Sequence, residues 1–160
     1  MAKIDKDKKL LSPILDRLLY GDRYGSSPQP HQVLRQLRES VRRDLEHLFN
    51  TRYRCIGAPP ACEHLQTSLI NFGLPDLSTV NLTAPQSRDE FCRQVEQTIT
   101  NYEPRIKSVK VIGVTDADPE DPVIRFRIEA LLHANPAPEV IVFDSALNPV
   151  NHTIDVSEIA

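Results

Sequence analysis

The sequence predicts an α+β domain in which N-terminal helices and a central amphipathic helix pack on a small antiparallel sheet of three to four strands. Three observations lead there. Apolar residues recur every three or four positions from Leu34 to Leu48 and from Phe91 to Tyr102, those of the stretch Val123 to Leu132 recur every second position, and Pro104 separates the two regimes by forbidding any continuation of the helix before it. Helices first and a meander of strands afterwards place the helices against one side of the sheet. With 160 residues the chain is long enough for one domain with a real core and too short to make two the expectation.

The first element, Ser12-Pro13-Ile14-Leu15-Asp16-Arg17-Leu18-Leu19-Tyr20, reads as a short helix with serine at the cap and proline in the first turn. A helix of about two turns is marginal alone, so its apolar side lies either on its own domain or on a partner. A Gly/Ser/Pro loop over 21–30 hands over to a helix of about Gln32 to Phe49, in which Leu34, Leu37, Val41, Leu45 and Leu48 make one stripe. Arg35, Glu39 and Arg43 are spaced to pair at i,i+4 on another side. From Tyr53 to Pro85 the chain is irregular, but Leu74, Leu77 and Leu82 still need burial, which predicts a packed, specific loop with a turn or two of helix around Leu65, Leu69 and Ile70.

Ser87-Arg88-Asp89-Glu90 has the form of a capping box. The helix it opens carries Phe91, Val95, Ile99 and Tyr102 on one stripe, with Cys92 beside it. Val109 to Val114 is strand-like, and from Val123 to Leu132 the apolar Ile124, Phe126, Ile128, Ala130 and Leu132 alternate with Arg125, Arg127 and Glu129. Val140 to Phe143 is a third strand, and Thr153 to Val156 a fourth.

Composition narrows the function classes. The chain is 40% hydrophobic and 26% charged, and it holds no apolar run near the ~20 residues a membrane helix needs, so direct membrane insertion is not expected. The charged stretch from Met1 to Lys9 leads into no apolar signal core, and three cysteines (Cys55, Cys62, Cys92) cannot all pair within one chain; both point to a reducing cytoplasm. The net charge of −3 repels nucleic acid, and the arginines at 35, 38, 42, 43, 52 and 54 are interrupted by Glu39, Asp44 and Glu46, so no nucleic-acid partner is expected. Thirteen prolines against five glycines describe rigid connections suited to a part built into something larger.

Glu103-Pro104-Arg105 is the most distinctive local grouping. Pro104 pushes Glu103 out of the α region, which predicts an extended tripeptide with the carboxylate and guanidinium on the same side. Such a pair recognises a reciprocal acid–base pair on another protein; the alternative is a plain helix stop with a weak surface ion pair. Asp116-Ala117-Asp118-Pro119-Glu120-Asp121 begins like a calcium loop, but Asp121 stands where glycine is needed and Arg127 where glutamate is needed, so it reads as an acidic hairpin tip. Cys55, Cys62, His64 and His47 form no zinc-type spacing, and no glycine pattern cradles phosphate, so neither metal nor cofactor is called for. Glu103, Asp116, Glu129 and Asp144 are the carboxylates from which a glycoside hydrolase pair would be drawn. Sequence spacing pairs none of them, and the chain has no Trp and only 6% aromatics to line a sugar groove.

These residues together resemble the TssE family, which belongs with the lysozyme-like baseplate wedge proteins of contractile phage tails. The resemblance covers most of the chain: Pro13 to Leu18, Leu48-Phe49-Asn50-Thr51-Arg52 with Phe49 in place of the usual leucine, Gly73-Leu74-Pro75-Asp76, Glu103-Pro104-Arg105, Phe126 to Ala130, and Val142-Phe143-Asp144. It implies a non-catalytic structural subunit, with residues 1–30 as an N-terminal docking segment and loop and 31–160 as a single baseplate wedge domain. The expected place is the bacterial cytoplasm, at an inner-membrane-docked baseplate. TssF and TssG hold such a subunit, TssK connects to it, VgrG forms the spike at the centre, and its strands start the contractile TssB/TssC sheath. The residues implied in docking are Glu103, Pro104 and Arg105, then Asn50, Thr51 and Arg52, and in the N-terminal segment Leu15, Asp16, Arg17 and Leu18. The alternative function is a peptidoglycan hydrolase acting during assembly.

Overall fold

A computed structural model describes Leu18 and residues 30–52, 59, 61–66, 68–75, 85–114, 123–134 and 138–159. Helix α1 spans Pro30–Asn50, beginning two residues before the expected start because Pro30 has the right fixed φ for a first helical position and no N–H to leave unbonded. Its stripe is as the spacing predicts: Leu37, Val41, Leu45 and Leu48 are buried, joined by Phe49. The surface pairing differs from the Arg35–Glu39–Arg43 expectation. Arg42 takes Glu39 and Glu46, both at 2.7 Å. The hydrogen bond from Arg42 holds the Glu39 carboxyl below its ordinary pKa, and the same bond raises that of Arg42.

Among its described residues the irregular region holds one short helix, α2 (Glu63–Gln66), and a 3₁₀ turn at Leu69–Asn71. Leu74 is fully buried as expected, whereas Leu69 (86% exposed) and Ile70 (49%) stand out in solvent; Leu77 and Leu82 lie outside the described residues. Helix α3 runs Pro85–Tyr102, so the Ser87–Glu90 capping box lies inside the helix and Pro85 takes the first position instead. Phe91, Cys92, Val95 and Ile99 are buried on its inner stripe.

Four strands follow, β1 (Ile106–Gly113), β2 (Ile124–Leu132), β3 (Glu139–Asn148) and β4 (Thr153–Glu158), antiparallel in the order β1-β2-β3-β4. This is the predicted α+β fold, with the upper number of strands. β3 is longer than the Val140–Phe143 estimate because its alternation continues through buried Ser145 and Leu147. On β2 the sides separate cleanly: Phe126, Ile128, Ala130 and Leu132 are buried while Arg125, Arg127 and Glu129 are exposed.

Both helices cover one face of the sheet, α3 over β1 and α1 over β4. The described elements share one hydrophobic core. At its centre Phe126 meets Phe49 edge-on at 6.3 Å and Phe91 edge-on at 5.6 Å, joining both helices to the sheet. Among the described residues no helix is long and apolar enough to cross a membrane.

Candidate docking site

The site is built at the end of α3. The Glu103 N–H donates to Ile99 O at 2.8 Å as the last bond of the helix, and Pro104 then prevents another turn. The Ile106 N–H donates to Glu103 O at 3.2 Å, closing a four-residue turn with proline in its second position, where that ring is preferred. The tripeptide is therefore a turn, and the expected extended conformation is corrected. Carboxylate and guanidinium nevertheless sit side by side.

They are turned inward. Arg105 Nε donates to Glu103 Oε1 at 2.6 Å, the Arg105 backbone N–H donates to the same oxygen at 3.1 Å, and a terminal guanidinium nitrogen bonds Oε2. The rest of the fork reaches α1, at 3.1 Å to Ser40 Oγ and 2.6 Å to Asp44 Oδ2. Glu103 is only 5% exposed and Ser40 2%. Burial works against the Arg105 charge, but the two carboxylates outweigh it and leave the guanidinium pKa above its ordinary value. Arg105 O also accepts the His133 N–H at 2.8 Å, so one turn joins α3, α1 and the end of β2.

Beside this turn lies an open groove of about 410 Å³, walled by Asp44, Leu45, His47 and Leu48 of α1, by Phe72, and by Tyr102 with Glu103, Pro104 and Arg105. Tyr102 stands edge-on to Phe72 at 5.2 Å and donates its hydroxyl to Ser68 O at 2.9 Å, which sets the 3₁₀ turn and its exposed Leu69 and Ile70 close to the rim. Burial pushes the Tyr102 phenol up. Apolar walls with an ion pair on one side suit the reception of protein side chains. Ser40, Asp44 and Phe72 were not singled out from sequence, and Asp44 was read only as an interruption in a run of arginines.

Asn50, Thr51 and Arg52 cap α1 and do their bonding within the fold. The Asn50 side-chain amide imitates a strand residue: Oδ1 accepts the Ile154 N–H and Nδ2 donates to Ile154 O, both at 2.8 Å. Thr51 Oγ1 donates to His47 O at 2.7 Å, and Thr51 O accepts the Leu74 N–H at 2.9 Å. Arg52 donates to Phe49 O and, at 2.6 Å, to His152 O in the β3–β4 turn. Asn50→Ala is expected to lower unfolding free energy by about 1–2 kcal/mol, because it leaves both Ile154 backbone groups short of partners. A urea titration with unchanged slope and lower midpoint is the expected reading.

Leu15, Asp16 and Arg17 lie outside the described residues; Leu18 is 78% exposed. Of the carboxylates considered for hydrolysis, Asp116 lies outside the described residues, Glu129 is exposed on the outer sheet face, Asp144 there accepts Arg127 Nε at 2.9 Å, and Glu103 is taken up by Arg105. The acidic hairpin tip and Cys55 also fall outside the described residues, while Cys62 and His64 are exposed. Burial raises the Cys92 thiol pKa, the opposite of what activates a nucleophile. Among the described residues no three His, Cys, Asp or Glu side chains gather as a metal site requires.

The chain is similar to known proteins in three comparisons. A curated relative, the anti-adapter protein IraD of Salmonella paratyphi A, is 27% identical over 129 residues, covering 81% of this chain and 90% of its own. A chain of the baseplate complex from the type VI secretion system is similar at 21% identity with a TM-score of 0.48, covering 71% of this chain and 96% of its own. The family described as baseplate wedge protein gp25 matches residues 35–137, a span that runs from α1 through β2 and contains the groove and the Glu103–Arg105 turn. The chain belongs to the baseplate wedge protein gp25 family.

Proposed function

We propose that this chain is a structural subunit of a type VI secretion baseplate that docks on the TssF/TssG wedge and initiates polymerisation of the TssB/TssC sheath. It works in the cytoplasm at the inner-membrane-docked baseplate, in contact with TssK and around VgrG. The observation that carries this reading is family membership across 35–137, with Glu103-Pro104-Arg105 forming one wall of an apolar groove. The motifs by which the chain resembles TssE support the type VI setting, and several of them meet in space: Phe49 on Phe126, and Thr51 on Leu74.

In this reading Glu103 and Arg105 hold the groove open, and Asn50, Thr51 and Arg52 fix the loop beside it. Exposed Pro104, His47, Leu69 and Ile70 meet the wedge, and Leu15 to Leu18 supply a second contact. The test is Leu69→Asp combined with Ile70→Asp. Both positions are exposed, so stability is expected to change little, whereas co-purification of TssF and TssG is lost. Undiminished co-purification sinks the docking claim.

The chain has no catalytic role in this proposal. Release of fragments from peptidoglycan by the purified protein, abolished by Glu129→Gln or Asp144→Asn, would establish the hydrolase alternative instead. The likeness to an anti-adapter protein favours a second reading, in which the same face holds one adapter-type partner outside any baseplate. A pull-down from native cytoplasm separates the two, since only the first recovers wedge and sheath subunits.

A further inference from the structure

The groove has an apolar knob at its rim that does not fill it. Among the described residues Leu69 is the most exposed large apolar side chain, and Ile70 follows it in the same 3₁₀ turn. Neither belongs to the walls of the groove in its own chain, where Leu45, Leu48, Phe72, Tyr102 and Pro104 supply the apolar surface. The turn is fastened in this position. Ser68 Oγ donates to Leu65 O at 2.8 Å, the Asn71 N–H donates to Ser68 O at 3.1 Å, and that same oxygen takes the Tyr102 hydroxyl at 2.9 Å. A knob already fixed by such bonds loses little freedom when it enters a pocket.

Charge says what kind of partner the knob and groove suit. From Leu65 to Pro75 the sequence holds no Asp, Glu, Lys, Arg or His, in a chain that is 26% charged. Depletion of charge on an accessible segment is a mark of a contact surface. It is also what a two-fold contact demands. Residues near a two-fold axis face their own copies, so any charge there meets its like, whereas an uncharged segment meets no repulsion. Phe72 lines the groove and stands two residues beyond Ile70, so it lies between knob and groove. A two-fold axis crossing beside Phe72 carries the knob of each chain onto the groove of the other, and both contacts form at once. The charges on the groove wall do not oppose this, because Arg105 is already paired with Glu103 and Asp44.

We propose that a second copy of this chain occupies the groove, each copy inserting Leu69 and Ile70 into the other, so that the docking face is closed in the free protein and opens when the wedge displaces the second copy. This rests on the docking reading above. The apolar knob that meets the wedge is thereby kept out of water until a wedge is present, and exchange of one occupant for the other follows mass action.

Sedimentation velocity on the full chain, from about 1 μM to about 500 μM, reads the association. The average mass is expected to rise from one chain to two, with a dissociation constant on the order of tens of micromolar for so small a contact. Leu69→Asp combined with Ile70→Asp removes the knob, and His47→Asp places a charge on the exposed lip of the groove. Each variant is expected to weaken association at least about tenfold while the circular dichroism of the fold stays unchanged. Mixed in equal amounts, the two variants should associate more tightly than either alone, because the intact knob of one meets the intact groove of the other. Added TssF and TssG should split the dimer and bind single copies.

A chain that stays monomeric at every concentration overturns the proposal and leaves docking on the wedge standing. Association lost in the knob variant but kept in His47→Asp, with no recovery on mixing, overturns the groove as the place where the knob lands. A dimer that persists within the TssF/TssG complex overturns the shared site. If TssF and TssG bind neither form, the docking reading falls and the masking role falls with it, while the contact between copies stands.

Discussion

Glu103→Ala is expected to lower unfolding free energy by about 3 kcal/mol, the low end of the range for removing one member of a buried ion pair. The carboxylate it deletes accepts from three Arg105 nitrogens, and alanine leaves the guanidinium with Ser40 and Asp44 alone. Asp44, whose side chain is 32% exposed, keeps the charge from being fully uncompensated, which is why the low end applies. A urea titration should show a lower midpoint with an unchanged slope. Because an arginine stays protonated throughout the accessible pH range, the loss should be the same from pH 6 to pH 9.

The double variant Glu103→Met/Arg105→Met separates shape from recognition. Replacing both members of a buried pair by apolar groups of similar volume is often close to neutral, so it should recover most of the stability lost in Glu103→Ala. If wedge co-purification recovers with it, the pair acts by shaping the groove. If stability returns and co-purification does not, the partner reads the charges themselves.

Periodicity made most of the fold legible, because Phe126, Ile128, Ala130 and Leu132 alternate with charges and Phe91, Val95 and Ile99 return at helical spacing. It failed where a buried position is not apolar. The expected third strand covers Val140 to Phe143, yet β3 continues past the polar Asp144 to Ser145, which is 3% exposed, and Leu147, which is 1%. The capping box at Ser87 was outcompeted by a proline two residues earlier, whose fixed φ needs no side-chain partner. At the site, a helix stop followed by paired charges was visible in Glu103-Pro104-Arg105. Its inward direction was not, since the deciding atoms belong to Ser40 and Asp44, some sixty residues away. Asn50 was equally opaque: a polar residue at a helix end reads as surface until β4 is known to lie beside it.

Gly73→Ala is expected to cost about 3 kcal/mol, in a substitution that at an ordinary loop position would be mildly stabilising. Gly73 has φ +112°, a conformation L-residues rarely adopt, and holding one there costs about 1–3 kcal/mol. Space compounds the strain. A Cβ at this position would stand 2.3 Å from Thr51 O, which is backbone and cannot swing aside. To relieve it, the loop must move off the end of α1, weakening the 2.9 Å bond from the Leu74 N–H to that same oxygen and drawing fully buried Leu74 out of the core. Phe72, one residue away, would shift against Tyr102, so the near-ultraviolet circular dichroism of the tyrosine should change along with the thermal midpoint. Asparagine is the usual substitute where a backbone needs positive φ, but its Cβ meets Thr51 O as alanine's does. Gly73→Asn should therefore be no better tolerated than Gly73→Ala; recovery of stability in the asparagine variant would show that backbone conformation alone, and not the approach to Thr51, demands glycine here.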